Sequence, residues 1–397
     1  MLKARWSHCK DIYSAIREIM ENGKNTEITV KNYISQPQRG SKDRKFISEA
    51  IFNIVKNFRY YEFIAPEKED RLNGIIAAYL FVNQIVPPDA GEWLMSSVST
   101  TTDRMETAKS MPEILYSVPQ WLHEIGKESL TSQWNSIISV SIEKAPVYLR
   151  VNTLKTNINK LGKYFKKEGI EFSGIDGDCL KLESRSNLSR DKGFLSGWFE
   201  FQDAGSQEIA KFCRPEPGMF VIDACSGAGG KSLHLASLME NHGNILALDV
   251  NTTALEKLKI RKERAGADII SISDYMDRDK LSSLIASADV VLCDVPCSAT
   301  GVMRREPDQK WKLTIEKLQQ LIETQFDILS RCSAWVKPGG RLIYATCSVL
   351  PLENKDQVDR FLSQHEDFFL ADEKQLYPKH NGHDGFFMCM MIRKGHS

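Results

Sequence analysis

The sequence contains no run of the ~20 apolar residues that a membrane span needs. Neither sign of charge is in excess, since Lys+Arg and Asp+Glu both number 52. That balance excludes a wholesale polycation but leaves room for a local basic cleft that binds phosphate. No CxxC pair occurs, and the nine cysteines are odd in number and spread along the chain. Such a pattern fits free thiols in a reducing cytoplasm rather than a disulfide framework. Internal repeats and low-complexity tracts are missing too. The opening MLKARWSHCKDIYSAI lacks the apolar core of a signal peptide. What is present is a chain of 397 residues, 42% of them hydrophobic, enough for two or three domains with cores of their own.

Residues 1–125 read as a helical domain. Apolar residues recur at helical spacing from Phe46 through Ile51, Ile54 and Val55 to Phe58. Ser41 and Asp43 are candidate caps for that helix, and Pro87-Pro88 and Pro112 punctuate the next ones. Residues 126–203 read as a small mixed α/β module. KAPVYLRVNTLKT predicts a strand, NINKLGKYFKKEGIEF a helix ending at Gly169, and DGDCLKLES and GWFEFQDAG two further strands. Lys160, Lys163, Lys166 and Lys167 fit a phosphate-facing stripe or a solvated helix face. From 204 to 397, apolar β-rich runs alternate with helices. The strands are predicted at 219–224, 244–250, 268–273, 289–294, 341–347 and 386–392. Buried strands separated by helices indicate an α/β fold, a doubly wound parallel sheet, whose ligands bind beyond the C-terminal strand ends.

The first of these strands runs into Asp223-Ala224-Cys225-Ser226-Gly227-Ala228-Gly229-Gly230-Lys231-Ser232. Three readings compete. A phosphate loop GxxxxGK[ST] fits Gly230-Lys231-Ser232 but puts its first glycine on Cys225. A dinucleotide fingerprint GxGxxG fits Gly227 and Gly229 but puts its third glycine on Ser232. An S-adenosylmethionine loop needs only a close glycine-rich approach to the ligand. Asp249 lies at the end of the second strand, where a carboxylate can accept ribose hydroxyls, and Asp274 ends the third, where an adenine amino group would sit.

The fourth strand ends in Asp294-Val295-Pro296-Cys297-Ser298 and the fifth in Ala345-Thr346-Cys347-Ser348. Neighbouring strands would turn both thiols into one crevice. Cys293 points to the opposite side of its strand from Asp294 and reads as core. Zinc fits poorly, because Cys293 and Cys297 lack companion ligands at usual spacing, so no metal is expected. A thiol beside a methyl donor suits cytosine chemistry. C5 of cytosine attacks a sulfonium methyl only after a thiolate has added to C6, and a carboxylate near N3 and N4 stabilises the ring charge. The base must leave its stack to enter such a pocket. Either cysteine can be the nucleophile on these grounds.

DACSGAGGKS, DVPCSATGVMRREPDQKW and YATCSVLPLEN closely resemble the bacterial Sun/Fmu (RsmB-like) family of S-adenosylmethionine-dependent 16S rRNA cytosine-5 methyltransferases. The likeness spans roughly 112–397 and includes YLRVNTLKT, GWFEFQDAGSQ and the DGFF at Asp384–Phe387. It implies a Rossmann-like methyltransferase domain, preceded by a small α/β RNA-binding module and an N-terminal helical, NusB-like domain. It implies that Cys225, Ser226, Gly227, Ala228, Gly229, Gly230 and Lys231, with Asp249, Asp274 and Asp294, bind S-adenosylmethionine. Cys347 would be the nucleophile and Cys297 would assist product release, whereas in DNA cytosine methyltransferases the PC cysteine attacks. Arg304, Arg305 and Lys310 would steer the RNA backbone. The implied protein is a cytoplasmic monomer acting on 16S rRNA or a small-subunit precursor. Rivals are the same chemistry on another RNA, or a ribosome-assembly factor that has kept the fold but lost turnover. Two departures stand out: Ala228 replaces a usual proline, which loosens the loop, and the N-terminal region is short and divergent.

Overall fold

The computed structural model describes residues 3–36, 39–88, 93, 98–184, 188–275 and 278–395. The chain forms two compact units: Met1–Lys144 with Val302–Ile315, and Ala145–Gly301 with Glu316–Ser397.

The first unit is helical. Its helix Ser41–Lys56 buries Ile47, Ala50, Ile51, Ile54 and Val55 on one face. Each of the Ile and Val side chains contributes ~1.5–3 kcal/mol against the entropy of ordering the chain. The N-cap is Gly40 rather than Ser41, which lies inside the first turn. Asp43 instead accepts from His8 Nε2 at 3.1 Å while its charge favours the helix N-terminus. The expected break at residue 125 falls inside helix Gln120–Leu130, and the helical unit continues through Ser132–Ser141. It also takes in Val302–Ile315, a segment the sequence places with the C-terminal sheet. There Trp311 Nε1 donates to the Val55 carbonyl at 2.7 Å, and its ring packs edge-on against Phe58.

The second unit holds two sheets. The first has strands β1 (Val147–Val151), β2 (Phe172–Asp176), β3 (Cys179–Leu182) and β4 (Phe199–Phe201) in the order β2-β3-β1-β4, with all neighbours antiparallel. Helix Ile158–Lys167 is capped by Asn157, whose side chain accepts from Lys160 N at 2.9 Å. It buries Leu161 and Phe165 and leaves Lys160, Lys163, Lys166 and Lys167 exposed. Strand β2, which the sequence did not predict, begins at Phe172, shortly after the predicted helix end at Gly169.

The second sheet has β5 (Phe220–Asp223), β6 (Asn244–Leu248), β7 (Ile270–Ser273), β8 (Ala288–Asp294), β9 (Val336–Thr346), β10 (Phe368–Leu376) and β11 (Phe386–Arg393). Their order is β10-β11-β9-β8-β5-β6-β7. β5 to β9 pair in parallel as expected, but the sheet is mixed, because β11 runs antiparallel to both β9 and β10. For the β10–β11 pair the reason is length. Residues 377–385 join β10 to β11, too few for the crossover of a dozen or more that a parallel return requires. β8 lies between β9 and β5, so the C-terminal ends of β5, β8 and β9 open side by side.

Candidate active site

β5 delivers the glycine loop. Asp223 is fully buried at its end and accepts from Ser232 Oγ at 2.6 Å, tying the loop to the helix Gly230–Leu238 that follows. Burial pushes the Asp223 carboxyl up to about 7. Gly229 adopts φ +84°, and a Cβ there would meet Leu258 at 2.1 Å, so glycine is required. At Gly227 and Gly230 an added Cβ would meet nothing within 4 Å. Those two positions border open space, and Ser226 Oγ is buried there without a partner. A polar ligand laid along the loop fits such a cradle.

Asp249, just beyond β6, accepts from Gly227 N and Asn251 N, both at 2.7 Å. Its carboxylate is thereby fixed at the lip of the loop, where ribose hydroxyls are best received. Asp274 follows β7 directly. Tyr275, next to it, donates to the Ala224 carbonyl at 2.5 Å and stacks on Trp335. Lys231 Nζ pairs with Asp294 Oδ2 at 2.5 Å. Burial opposes the Lys231 charge, but the Asp294 carboxylate overrides it, and the amine ends above its ordinary range. A lysine committed to a carboxylate is poorly placed to cradle a phosphate chain, which counts against a phosphate loop.

Ala228 stands where a stiffer residue was expected, yet the loop is held. Arg261 NH1 donates to the Ala228 carbonyl at 2.6 Å, and its NH2 pairs with Glu200 of β4 at 2.9 Å. Glu200 also holds Arg264 and is itself buried.

The two strand-end cysteines meet. Cys297 Sγ lies 3.1 Å from Cys347 Sγ, and Cys347 N donates to Cys297 Sγ at 3.3 Å. Contact with Cys347 and then burial raise the Cys297 thiol well above its ordinary range, so it stays protonated. Cys293 is fully buried in the sheet core, as its position in the strand predicts.

Gly301 N donates to the Cys347 carbonyl at 2.9 Å, and Gly385 N to the Gly301 carbonyl at 2.9 Å. The DGFF glycine thus presses the loop after Cys297 against the loop after Cys347. A further group that sequence reasoning missed is Glu353. Its only sequence signal is an acidic residue shortly after the cysteine, which reads as a turn or cap.

The basic trio lies outside the sheet unit. All three residues belong to the helical unit. Lys310 is buried and donates to the Lys56 carbonyl at 2.8 Å, and burial and then the Lys56 charge lower its amine to about 7. Arg304 is buried within 3.9 Å of Glu143. Both side chains are thus buried, with the Lys310 amine bonded to a backbone carbonyl and the Arg304 guanidinium near Glu143. Arg305 is half-buried.

Comparison with known proteins agrees with this architecture. The profile of the 16S rRNA methyltransferase RsmB/F family matches residues 210–392, and that of the RsmF/B-like ferredoxin-like domain matches 118–189. The ribosomal RNA small subunit methyltransferase B of Shewanella oneidensis is 33% identical over 71% of this chain and 68% of its own. The enzyme of the same name from Salmonella dublin is 28% identical over 96% and 97%. The fold of the solved protein PH0851 covers 98% of this chain and 99% of its own with a TM-score of 0.79 at 23% identity. Since the likeness takes in the sheet that carries the paired thiols and the module before it, the chain belongs to the RsmB/F family of 16S rRNA methyltransferases.

Proposed function

We propose that the protein transfers a methyl group from S-adenosylmethionine to C5 of one cytosine in 16S rRNA, through a covalent bond between Cys347 and C6. The observation that carries this reading is the pair of thiols 3.1 Å apart at the ends of β8 and β9. S-adenosylmethionine, when bound, supplies an electrophilic methyl group. Cys225–Lys231, Asp249 and Asp274 hold it, with the open side of Gly227 and Gly230 as its bed.

Cys347 adds to C6 as a thiolate and makes C5 nucleophilic. Asp294, held by Lys231, faces N3 and N4 of the ring and stabilises the charge that develops there. After methylation water takes the C5 proton, the electron pair of that C–H bond re-forms the C5–C6 double bond, and Cys347 leaves C6 as a thiolate. Cys297, kept as a thiol beside Cys347, donates its proton to the departing Cys347 thiolate and is reprotonated from water. The pairing of a protonated thiol with a second thiol explains why two cysteines are present where one nucleophile is needed. The exposed lysines of helix Ile158–Lys167 supply phosphate contacts, and the protein works as a cytoplasmic monomer.

Cys347→Ala should abolish methyl transfer to 16S rRNA while binding of S-adenosylmethionine by calorimetry is kept. Cys297→Ala should accumulate a protein–RNA adduct on a denaturing gel. An active Cys347→Ala enzyme would mean another nucleophile. Bisulfite mapping of 16S rRNA from cells lacking the gene identifies the cytosine.

A further inference from the structure

Glu353 carries no part of the chemistry above, yet it is the most densely bonded carboxylate near the thiols. It is fully buried. Oε1 accepts from Ser298 N at 2.8 Å and from Gln325 Nε2 at 3.0 Å. Oε2 accepts from Ser298 Oγ, and from Ser348 Oγ at 2.5 Å. Ser298 follows Cys297 and Ser348 follows Cys347. Gln325 also donates to the Pro296 carbonyl at 3.0 Å, on the other side of Cys297. Thr300 closes the cluster, 2.9 Å from Ser348 Oγ, and accepts from Val349 N at 3.1 Å. The Glu353 backbone is held as well, its carbonyl accepting from Tyr344 OH at 2.6 Å.

No cation pairs with Glu353 among the described residues. An unpaired buried carboxylate is costly, and only a full set of donors makes it tolerable. Here the donors come from both cysteine loops and from one helix between them. Loop packing alone needs no charge; neutral side chains could fill the same space. The arrangement instead adds one short, strong acceptor as a common anchor to two loops otherwise joined by the Gly301 N–Cys347 carbonyl bond and by Thr300.

We propose that Glu353 is a positioning residue that sets the separation of the two thiols, by clamping the serine that follows each of them onto one carboxylate. The proposal rests on the covalent reading of the thiols for its catalytic meaning, but its geometry stands apart from it. Freed of the clamp, the loops after Cys297 and Cys347 drift, and the two sulfurs lose their contact.

The test is the redox equilibrium of the Cys297–Cys347 pair in the full-length protein, poised in glutathione mixtures and read by peptide mass spectrometry. Two thiols and one oxidised glutathione give one protein disulfide and two reduced glutathiones, so the constant reports how well the sulfurs are held together. Glu353→Ala should lower that constant by ~10- to 100-fold, because the constant scales with the effective molarity of one thiol for the other. Glu353→Gln, which keeps shape and one acceptor, should fall between. kcat should drop in the same order while KM for RNA and the thermal shift with S-adenosylmethionine stay at wild-type values.

A Glu353→Ala protein that retains the S-adenosylmethionine shift and the wild-type thiol constant overturns the proposal. If that variant does not fold, Ser348→Ala decides, since it removes one arm and leaves the carboxylate three donors. A fall supports the clamp and an unchanged constant refutes it. Should Cys347→Ala keep its methyltransferase activity, the covalent reading fails while the thiol constant still judges the clamp.

Discussion

Gly301→Ala is the sharpest test of how closely the two cysteine loops must approach. Gly301 is absent from the residues with positive φ, so alanine is allowed by the backbone and the effect is purely one of space. A Cβ at this position would meet the Gly385 carbonyl oxygen at 2.3 Å, the Gly385 carbon at 2.7 Å and the Cys347 carbonyl oxygen at 2.8 Å. All three are backbone atoms, so no side chain can swing aside. Carbon and oxygen need about 3.3 Å, so the loops must part by ~1 Å. Overpacking of this kind costs ~1–3 kcal/mol of stability. Its larger effect is on Cys347, whose carbonyl is one of the displaced groups. A 1 Å misplacement of a reacting group costs ~100-fold in rate. We therefore expect kcat for transfer of labelled methyl to 16S rRNA to fall ~100-fold, with the affinity for S-adenosylmethionine measured by calorimetry unchanged, because the glycine loop lies on β5. Wild-type turnover in a folded Gly301→Ala enzyme would refute the reasoning that this close approach is needed to place Cys347.

Arg261→Ala removes the donor to the Ala228 carbonyl and should weaken S-adenosylmethionine ~10-fold, the effect of ~1.4 kcal/mol for one charged hydrogen bond; an unchanged Kd by calorimetry would show that the loop is rigid without it. The buried amine of Lys310 gives a pH test. Its folded pKa, about 7, lies below the ordinary 10.5. The unfolded chain therefore binds more protons between those values, and this residue's contribution to stability rises with pH across that window. Lys310→Met lacks the slope, so its Tm advantage over the wild type should be greatest near about pH 6 and shrink toward about pH 10. A difference independent of pH would mean that Lys310 titrates as an exposed lysine.

The central strands were legible because they are continuous apolar runs closed by polar residues, and β5 to β9 and β11 all fall on predicted stretches. β2 and β10 were not. β2 is mostly exposed and contains Gly174, and β10 is an edge strand whose Asp372, Glu373 and Lys374 break any apolar alternation. The direction of β11 depended on the short connection before it and on which strand it pairs with, neither of which is a local property. At the site, cysteines and aspartates at strand ends could be read from residue type and position. Glu353 could not, because its role consists of donors brought from Ser298, Gln325 and Ser348 by the fold. The surroundings of Lys310 were not legible for the converse reason. A Lys/Arg-rich stretch predicts solvent, whereas here the amine has a backbone carbonyl as its partner inside a helical core.

The assignment of Val302–Ile315 to the helical unit has a practical consequence for dissecting the protein. The chain leaves the sheet unit at Gly301, directly after the first cysteine loop, and returns at Glu316 before the second. A fragment begun at Ala145 would look like a complete enzyme by length and motif. It would nevertheless carry Trp311 and Lys310 with the Val55 and Lys56 carbonyls deleted, and so expose an indole and an unpartnered amine. The catalytic half is therefore not a cassette that can be cut out or grafted by trimming the N-terminus. Any minimal version has to replace this excursion with a short linker, or co-express the helices that receive it.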